Sequence, residues 1–158
     1  MVETLATSTK HFTIVHVFDA PRADIWRAWT DPDEAAFWWH PRGLETPRDT
    51  VEIDARVGGS FRYTMVAPDG SEYPTYGEYL EVIEPERLVF TWGDPARPDE
   101  PQPVLTVELA EHGDDGRQTE MTFTVRGVDG EPGDDNIYDG WESAFGVLDE
   151  RLDLRAEE

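Results

Sequence analysis

Two glutamates three positions apart, Glu78 and Glu81, lie in a segment with the composition of a strand, Tyr76 to Ile83. Side chains alternate between the faces of a strand, so these two point opposite ways. One of them faces inward unless a bulge intervenes. A carboxyl buried in an apolar pocket has a raised pKa and can act as an acid or a base. The ordinary alternatives are a partner arginine such as Arg62, or a place in water near a strand end. Four histidines, His11, His16, His40 and His112, are scattered, and no two stand at a metal-ligand spacing. His16, on the first strand, suits a buried, hydrogen-bonded ring. The absence of cysteine excludes disulfides, thiolate zinc sites and cysteine nucleophiles. No Ser-His-Asp order, phosphate loop or glycine-rich dinucleotide motif occurs. No catalytic residue is assigned, and no metal or cofactor is implied.

The other chemistry-bearing side chains are aromatic. Phe61, Tyr63, Met65, Phe90, Trp92, Phe123, Trp141 and Phe145 fall on faces that the local pattern turns inward. Tyr79 joins them from the segment whose facing is undecided. A core built only to pack would draw more on Leu, Ile and Val. Buried Trp and Tyr carry polar tips that need partners. Any one of them suits an ordinary packed core, while as a set they favour the wall of a concave, mostly apolar pocket. The pair Trp38 and Trp39 belongs with them. Neighbouring helical residues point in different directions, so one is expected in the core and the other at the pocket edge or at the surface.

The elements that must position these residues follow from periodicity. Phe12 to Phe18 is apolar on both faces, which suits a covered central strand. Pro21 opens a helix on which Ile25, Trp26 and Trp29 share a face. A second short helix starts with Asp31 as N-cap, Pro32 at N1 and Glu34 reaching back, and ends before Pro41. Strands follow at Val51–Ala55, Ser60–Val66, Tyr76–Ile83, Leu88–Trp92, Leu105–Leu109 and Met121–Val125. Ile137, Trp141, Phe145, Leu148 and Leu152 then mark one face of a long helix. An alternating sheet must cover its apolar face, and that helix is the element long enough to do so. The expected fold is α+β: a curved antiparallel sheet of about seven strands around a long C-terminal helix, with two short helices after the first strand. Residues 1–10 read as a leader, 11–154 as one domain and 155–158 as a tail.

With 158 residues, hydrophobic content is 38% and aromatics reach 11%. A formal charge of −22, with Lys10 the one lysine, argues against nucleic acid and against anionic membrane surfaces. No stretch is apolar enough to span a bilayer, and the opening residues do not form a signal peptide. A cytoplasmic location is expected. In a meander, alternate turns share one end of the sheet. That places the longer connections Ala67–Pro74, Gly93–Pro103 and Gly127–Asn136 together as a pocket mouth. They carry Asp69, Glu72, Asp94, Asp99, Glu100, Asp129, Glu131, Asp134 and Asp135 against Arg97 alone. Such a rim repels anions and favours neutral or cationic ligands.

Six segments occur in a recognisable order. They are Asp19-Ala-Pro with Ile25-Trp-Arg-Ala-Trp-Thr-Asp-Pro32, then Trp38-Trp39-x-Pro41, then Val57-Gly-Gly-x-Phe-Arg-Tyr-x-Met65. Gly77-Glu-Tyr, Glu86-Arg-Leu-Val-Phe-Thr-Trp92 and Gly140-Trp141 follow. Across residues 11–154 the chain resembles bacterial proteins of the activator-of-heat-shock-protein-90-ATPase-like family. More broadly it is similar to the START/polyketide-cyclase superfamily with the helix-grip fold of the birch-pollen allergen. The resemblance implies a hydrophobic ligand cavity between sheet and C-terminal helix, without fixing the ligand. The eukaryotic co-chaperone of that name carries a further N-terminal domain, for which this sequence has no room. The leading expectation is a binder of a hydrophobic small molecule, aromatic or polycyclic. The alternatives are a cyclase or aromatase acting on a polyketide-like substrate, and a chaperone-related interaction domain. Homodimerisation is left open.

Overall fold

The computed structural model describes residues 10–96, 102–134 and 137–156, with side chains to residue 153. Strand β1 (His11–Phe18) leads into helices α1 (Arg22–Thr30) and α2 (Pro32–Ala35). Six strands follow: β2 (Glu52–Ile53), β3 (Ser60–Val66), β4 (Glu72–Ile83), β5 (Arg87–Thr91), β6 (Val104–His112) and β7 (Gln118–Arg126). Helix α3 (Ile137–Ala156) closes the described chain. The sheet is antiparallel throughout, in the order β1-β7-β6-β5-β4-β3-β2. This is the expected α+β architecture.

The inward residues of each strand are those that alternation selects. Phe61 and Tyr63 on β3, Leu88 and Phe90 on β5, Leu105, Val107 and Leu109 on β6, and Met121, Phe123 and Val125 on β7 are all buried. They meet Trp141, Ala144, Phe145, Leu148 and Leu152 on one face of α3. The rings of Phe123 and Trp141 approach to 4.9 Å, and those of Phe123 and Phe145 to 5.1 Å. Edge-to-face and offset contacts of this kind add about 0.5–1.5 kcal/mol each beyond simple burial.

Trp29 stands at the centre of the aromatic core. It is 1% exposed and touches the rings of Trp38, Trp39, Phe90, Phe123, Trp141 and Phe145. The short helices put it there. Pro21 precedes α1, and Asp31 closes it through a backbone bond to Arg27. Asp31 then caps α2, its carboxylate accepting from the Asp33 N–H, with Pro32 at N1. The second helix is shorter than its sequence signals suggest, ending at Ala35. The Asp31 N–H that Glu34 is expected to meet bonds the Arg27 carbonyl, and Glu34 lies 3.8 Å from Arg151 on α3.

Two expectations need correction. Among the described residues β1 is an edge strand paired to β7 alone, not a covered central one. Its inner residues Phe12, Ile14 and Phe18 are buried, while Val15 and Val17 are 58% and 40% exposed. The helices cover only the concave face, so apolar residues on the outer face of β1 remain in contact with water. The second correction concerns β4. Its register against β5 shifts between Tyr79 and Glu81, and a bulge of this kind breaks the two-residue period. Neither glutamate faces the interior: Glu78 is exposed, and Glu81 pairs with Arg87 at 3.0 Å. Arg62, the partner proposed from sequence, bonds Glu52 instead.

Candidate functional site

Between α3 and the far end of the sheet lies a cavity of about 390 Å³. Its wall is formed by Trp39, His40 and Pro41 from the segment after α2, and by Tyr63 and Met65 on β3. Trp92 follows β5, and Val128 and Asp129 follow β7. Ile137, Gly140, Trp141 and Ala144 close it from α3. A second hollow of about 410 Å³ adjoins it, sharing Met65, Trp92, Val128 and Ile137 and adding Tyr73, Gly93, Asp94 and Gln102. Residues from all three long connections therefore gather at one end of the sheet, as the meander requires.

The candidate residues divide into three groups. Trp39, Tyr63, Met65, Trp92 and Trp141 line the cavity. Phe61, Tyr79 and Phe90 lie deeper, around a gap of only about 10 Å³ that Trp29, Trp39, Tyr63, Leu88, Trp92 and Trp141 also border. Trp38, Phe123 and Phe145 are fully buried and border neither space. For Trp38 the reason is specific: its indole N–H donates to the Ala28 carbonyl at 2.9 Å, which turns the ring into the core. Phe123 and Phe145 are held by ring contacts to each other and to Trp29. Of the tryptophan pair, Trp39 is the one at the pocket edge. His40, Gly140 and Ala144 also lie in the wall, and sequence pattern does not single them out as site residues. The one legible signal is adjacency, His40 to Trp39 and Gly140 to Trp141.

Polar groups in the wall are few and mostly committed. The Tyr63 hydroxyl accepts from the Trp92 indole N–H at 3.0 Å. Burial pushes its pKa up to about 12, partly offset by side-chain hydrogen bonds with Trp92 and Thr75, so the phenol stays protonated. Tyr79, deeper in, is raised too, by burial and then by the charge of Asp54. The His40 Nδ1 lies 3.0 Å from the Thr46 hydroxyl, which donates to the Trp39 carbonyl at 2.8 Å. Burial lowers the His40 pKa, an effect opposed by the charge of Glu45. The imidazole is therefore neutral at pH 7. The indole N–H groups of Trp29 and Trp39 find no acceptor among the described residues. A buried donor left unpaired costs about 1–3 kcal/mol.

The acidic residues of the long connections are spread over several places. Asp129 lines the cavity and Asp94 the adjoining hollow. Asp69 and Glu72 are exposed on the β3–β4 hairpin, and Glu131 is exposed as well. Asp134 secures the start of α3, its carboxylate accepting from the backbone N–H groups of Tyr138 and Asp139 in the first turn. Arg97, Asp99, Glu100 and Asp135 lie outside the described residues. His16 is part-buried and bonds Asp149 on α3 at 2.9 Å, tying the edge strand to the helix away from the cavity wall. Among the described residues no group of three or more His, Asp or Glu could hold a metal ion. No described helix is long and apolar enough to cross a membrane.

Comparison with known proteins places this geometry in a family. The family model described as Activator of Hsp90 ATPase homolog 1-like protein matches residues 19–153. No curated protein matches the chain. Among solved structures, a protein from Mycobacterium smegmatis is 30% identical with a TM-score of 0.75, covering 91% of each chain. A protein from Nitrosomonas europaea is 22% identical with a TM-score of 0.76, over 94% of this chain and 97% of its own. A Plasmodium falciparum protein described as an HSP90 activator shares the fold more loosely. It is 21% identical with a TM-score of 0.57, over 77% of this chain and 76% of its own.

Proposed function

The chain belongs to the Activator of Hsp90 ATPase homolog 1-like family, and from that premise we propose that it binds a hydrophobic small molecule between sheet and α3. One observation carries the reading: a cavity of about 390 Å³ whose wall is Trp39, Tyr63, Met65, Trp92, Trp141 and other mainly apolar side chains. Small-molecule sites have volumes of about 300–1,000 Å³, apolar walls and a few placed polar groups. A core meant only to pack leaves no such space, because interiors are filled to crystal-like density. The flat indole and phenol faces suit an aromatic or polycyclic body. Asp129 and Asp94 at the opening favour a neutral or cationic molecule over an anion.

Native mass spectrometry on protein purified from its own host tests this. A retained small molecule, released on unfolding, supports the reading. Protein that carries no adduct and binds no member of an aromatic compound panel refutes it. A cyclase-type activity on a polyketide-like substrate is the second reading. It draws on two titratable side chains in the wall, each within hydrogen-bond distance of a second polar group: Tyr63 with Trp92, and His40 with Thr46. A product differing in mass from an added substrate would favour it over simple binding.

A further inference from the structure

The hydrogen bonds around His40 determine which of its ring nitrogens carries the proton. A hydroxyl has one proton to give. Thr46 gives its proton to the Trp39 carbonyl, at 2.8 Å. Toward His40, at 3.0 Å, the same oxygen can only accept. The Nδ1 atom of His40 must therefore be the donor, and in a neutral imidazole the other nitrogen is then a bare lone pair. Among the described residues no hydrogen bond to Nε2 is found, and His40 is one of the residues lining the cavity. Thr46 is 5% exposed, so water has little access to compete for the bond that fixes this tautomer.

We infer that His40 is the polar recognition element of the cavity, its Nε2 accepting a hydrogen bond from a ligand with an O–H or N–H donor on an apolar body. The inference rests on the cavity-binding reading and narrows its ligand class to hydrogen-bond donors. One other group of the cavity wall agrees with it. Asp129, which lines the same cavity, is also an acceptor. Glu45 acts on the ring by its charge. Tyr63 contributes a protonated phenol from β3, and α3 contributes only Ile137, Gly140, Trp141 and Ala144, none of them charged. A ligand lacking a donor would leave the His40 lone pair desolvated and unpaired, which disfavours it. Protonation of Nε2 turns the acceptor into a donor. Affinity for a donor ligand therefore falls as the pH drops through the His40 pKa, which lies below 6.5.

The test uses three probes of one shape: 2-naphthol, 2-methoxynaphthalene and naphthalene. Calorimetric titration of the full chain at pH 7.5 should find 2-naphthol bound about three- to tenfold more tightly than its methyl ether, the yield of one neutral hydrogen bond. That advantage should vanish in His40→Phe and return in part in His40→Gln, which again offers an acceptor. Circular dichroism establishes that each variant is folded. Long-range ¹H–¹⁵N correlation on the free protein reads the tautomer directly and should show a protonated Nδ1. Equal binding of 2-naphthol and its ether by the parent protein overturns the inference and leaves the cavity reading standing. So does an Nε2–H tautomer. Binding of none of the three probes overturns the cavity reading, and the inference with it.

Discussion

Gly140 offers a way to close the cavity without harming the fold. It lies in the first turns of α3, lines the cavity, and a Cβ built there meets nothing within 4 Å. It is also absent from the glycines with positive φ, so an L-residue fits its backbone. Gly140→Ala should therefore stabilise the protein by about 0.5–1 kcal/mol, the ordinary helical gain over glycine. In a chain of this size that raises Tm by about 2–4 °C per kcal/mol. Gly140→Leu keeps a good helix former and projects four carbons into the cavity of about 390 Å³. It should match or exceed the parent in stability while weakening 2-naphthol at least tenfold, or about 1.4 kcal/mol. Urea unfolding followed by tryptophan fluorescence gives the first quantity, and calorimetric titration the second. The two are predicted to move in opposite directions, a pattern that general loss of structure does not produce. A folded Gly140→Leu protein that binds 2-naphthol as tightly as the parent would refute the reasoning. So would a Gly140→Ala protein destabilised by more than about 1 kcal/mol, since open space around the Cβ would then be wrong.

Three further outcomes follow from the same geometry. Tyr63→Phe removes the acceptor of the Trp92 indole N–H and should cost about 1–2 kcal/mol in urea melts; an unchanged midpoint would show that the bond is not formed. Gly77→Ala should destabilise by about 3 kcal/mol or more, because a Cβ there would stand 1.8 Å from the Thr91 carbonyl and 2.6 Å from the Phe61 ring; a variant as stable as the parent would contradict that close approach. Finally, the folded pKa of His40 is depressed below 6.5, so the unfolded chain binds the proton more readily. Its effect on stability is therefore nil above that value, and stability declines as the pH falls through the window beneath 6.5. Histidine Cε1–H shifts followed by NMR should place the His40 midpoint below 6.5, and a midpoint above it would contradict the burial.

The architecture was legible because each level of the sequence pointed the same way. Alternation on β3, β5, β6 and β7 named the inward residues, and the spacing from Ile137 to Leu152 named the face of α3 that covers them. The failures have physical causes. β1 is apolar on both faces, and pattern alone does not distinguish a covered strand from an edge strand with two exposed valines. The bulge between Tyr79 and Glu81 has no signature in the local composition, so the alternation that would turn one glutamate inward does not hold there. The site was half legible. Side-chain type selected Trp39, Tyr63, Met65, Trp92 and Trp141, but it could not separate wall from filling, and Trp38, Phe123 and Phe145 belong to the filling. His40 is not legible from sequence because its significance comes from Thr46, six residues on, and from a chain of two hydrogen bonds that only the fold assembles.

The central claim is that the space between β3, Trp92 and α3 receives a small apolar molecule. It is tested most directly by titrating 2-naphthol into ¹⁵N-labelled protein and following the six indole N–H signals. Trp39, Trp92 and Trp141 line the cavity, and their signals should shift saturably with one dissociation constant. Trp26 and Trp38, buried away from it, should stay nearly fixed. An absence of saturable shifts, or shifts largest at Trp26 and Trp38, would contradict the account.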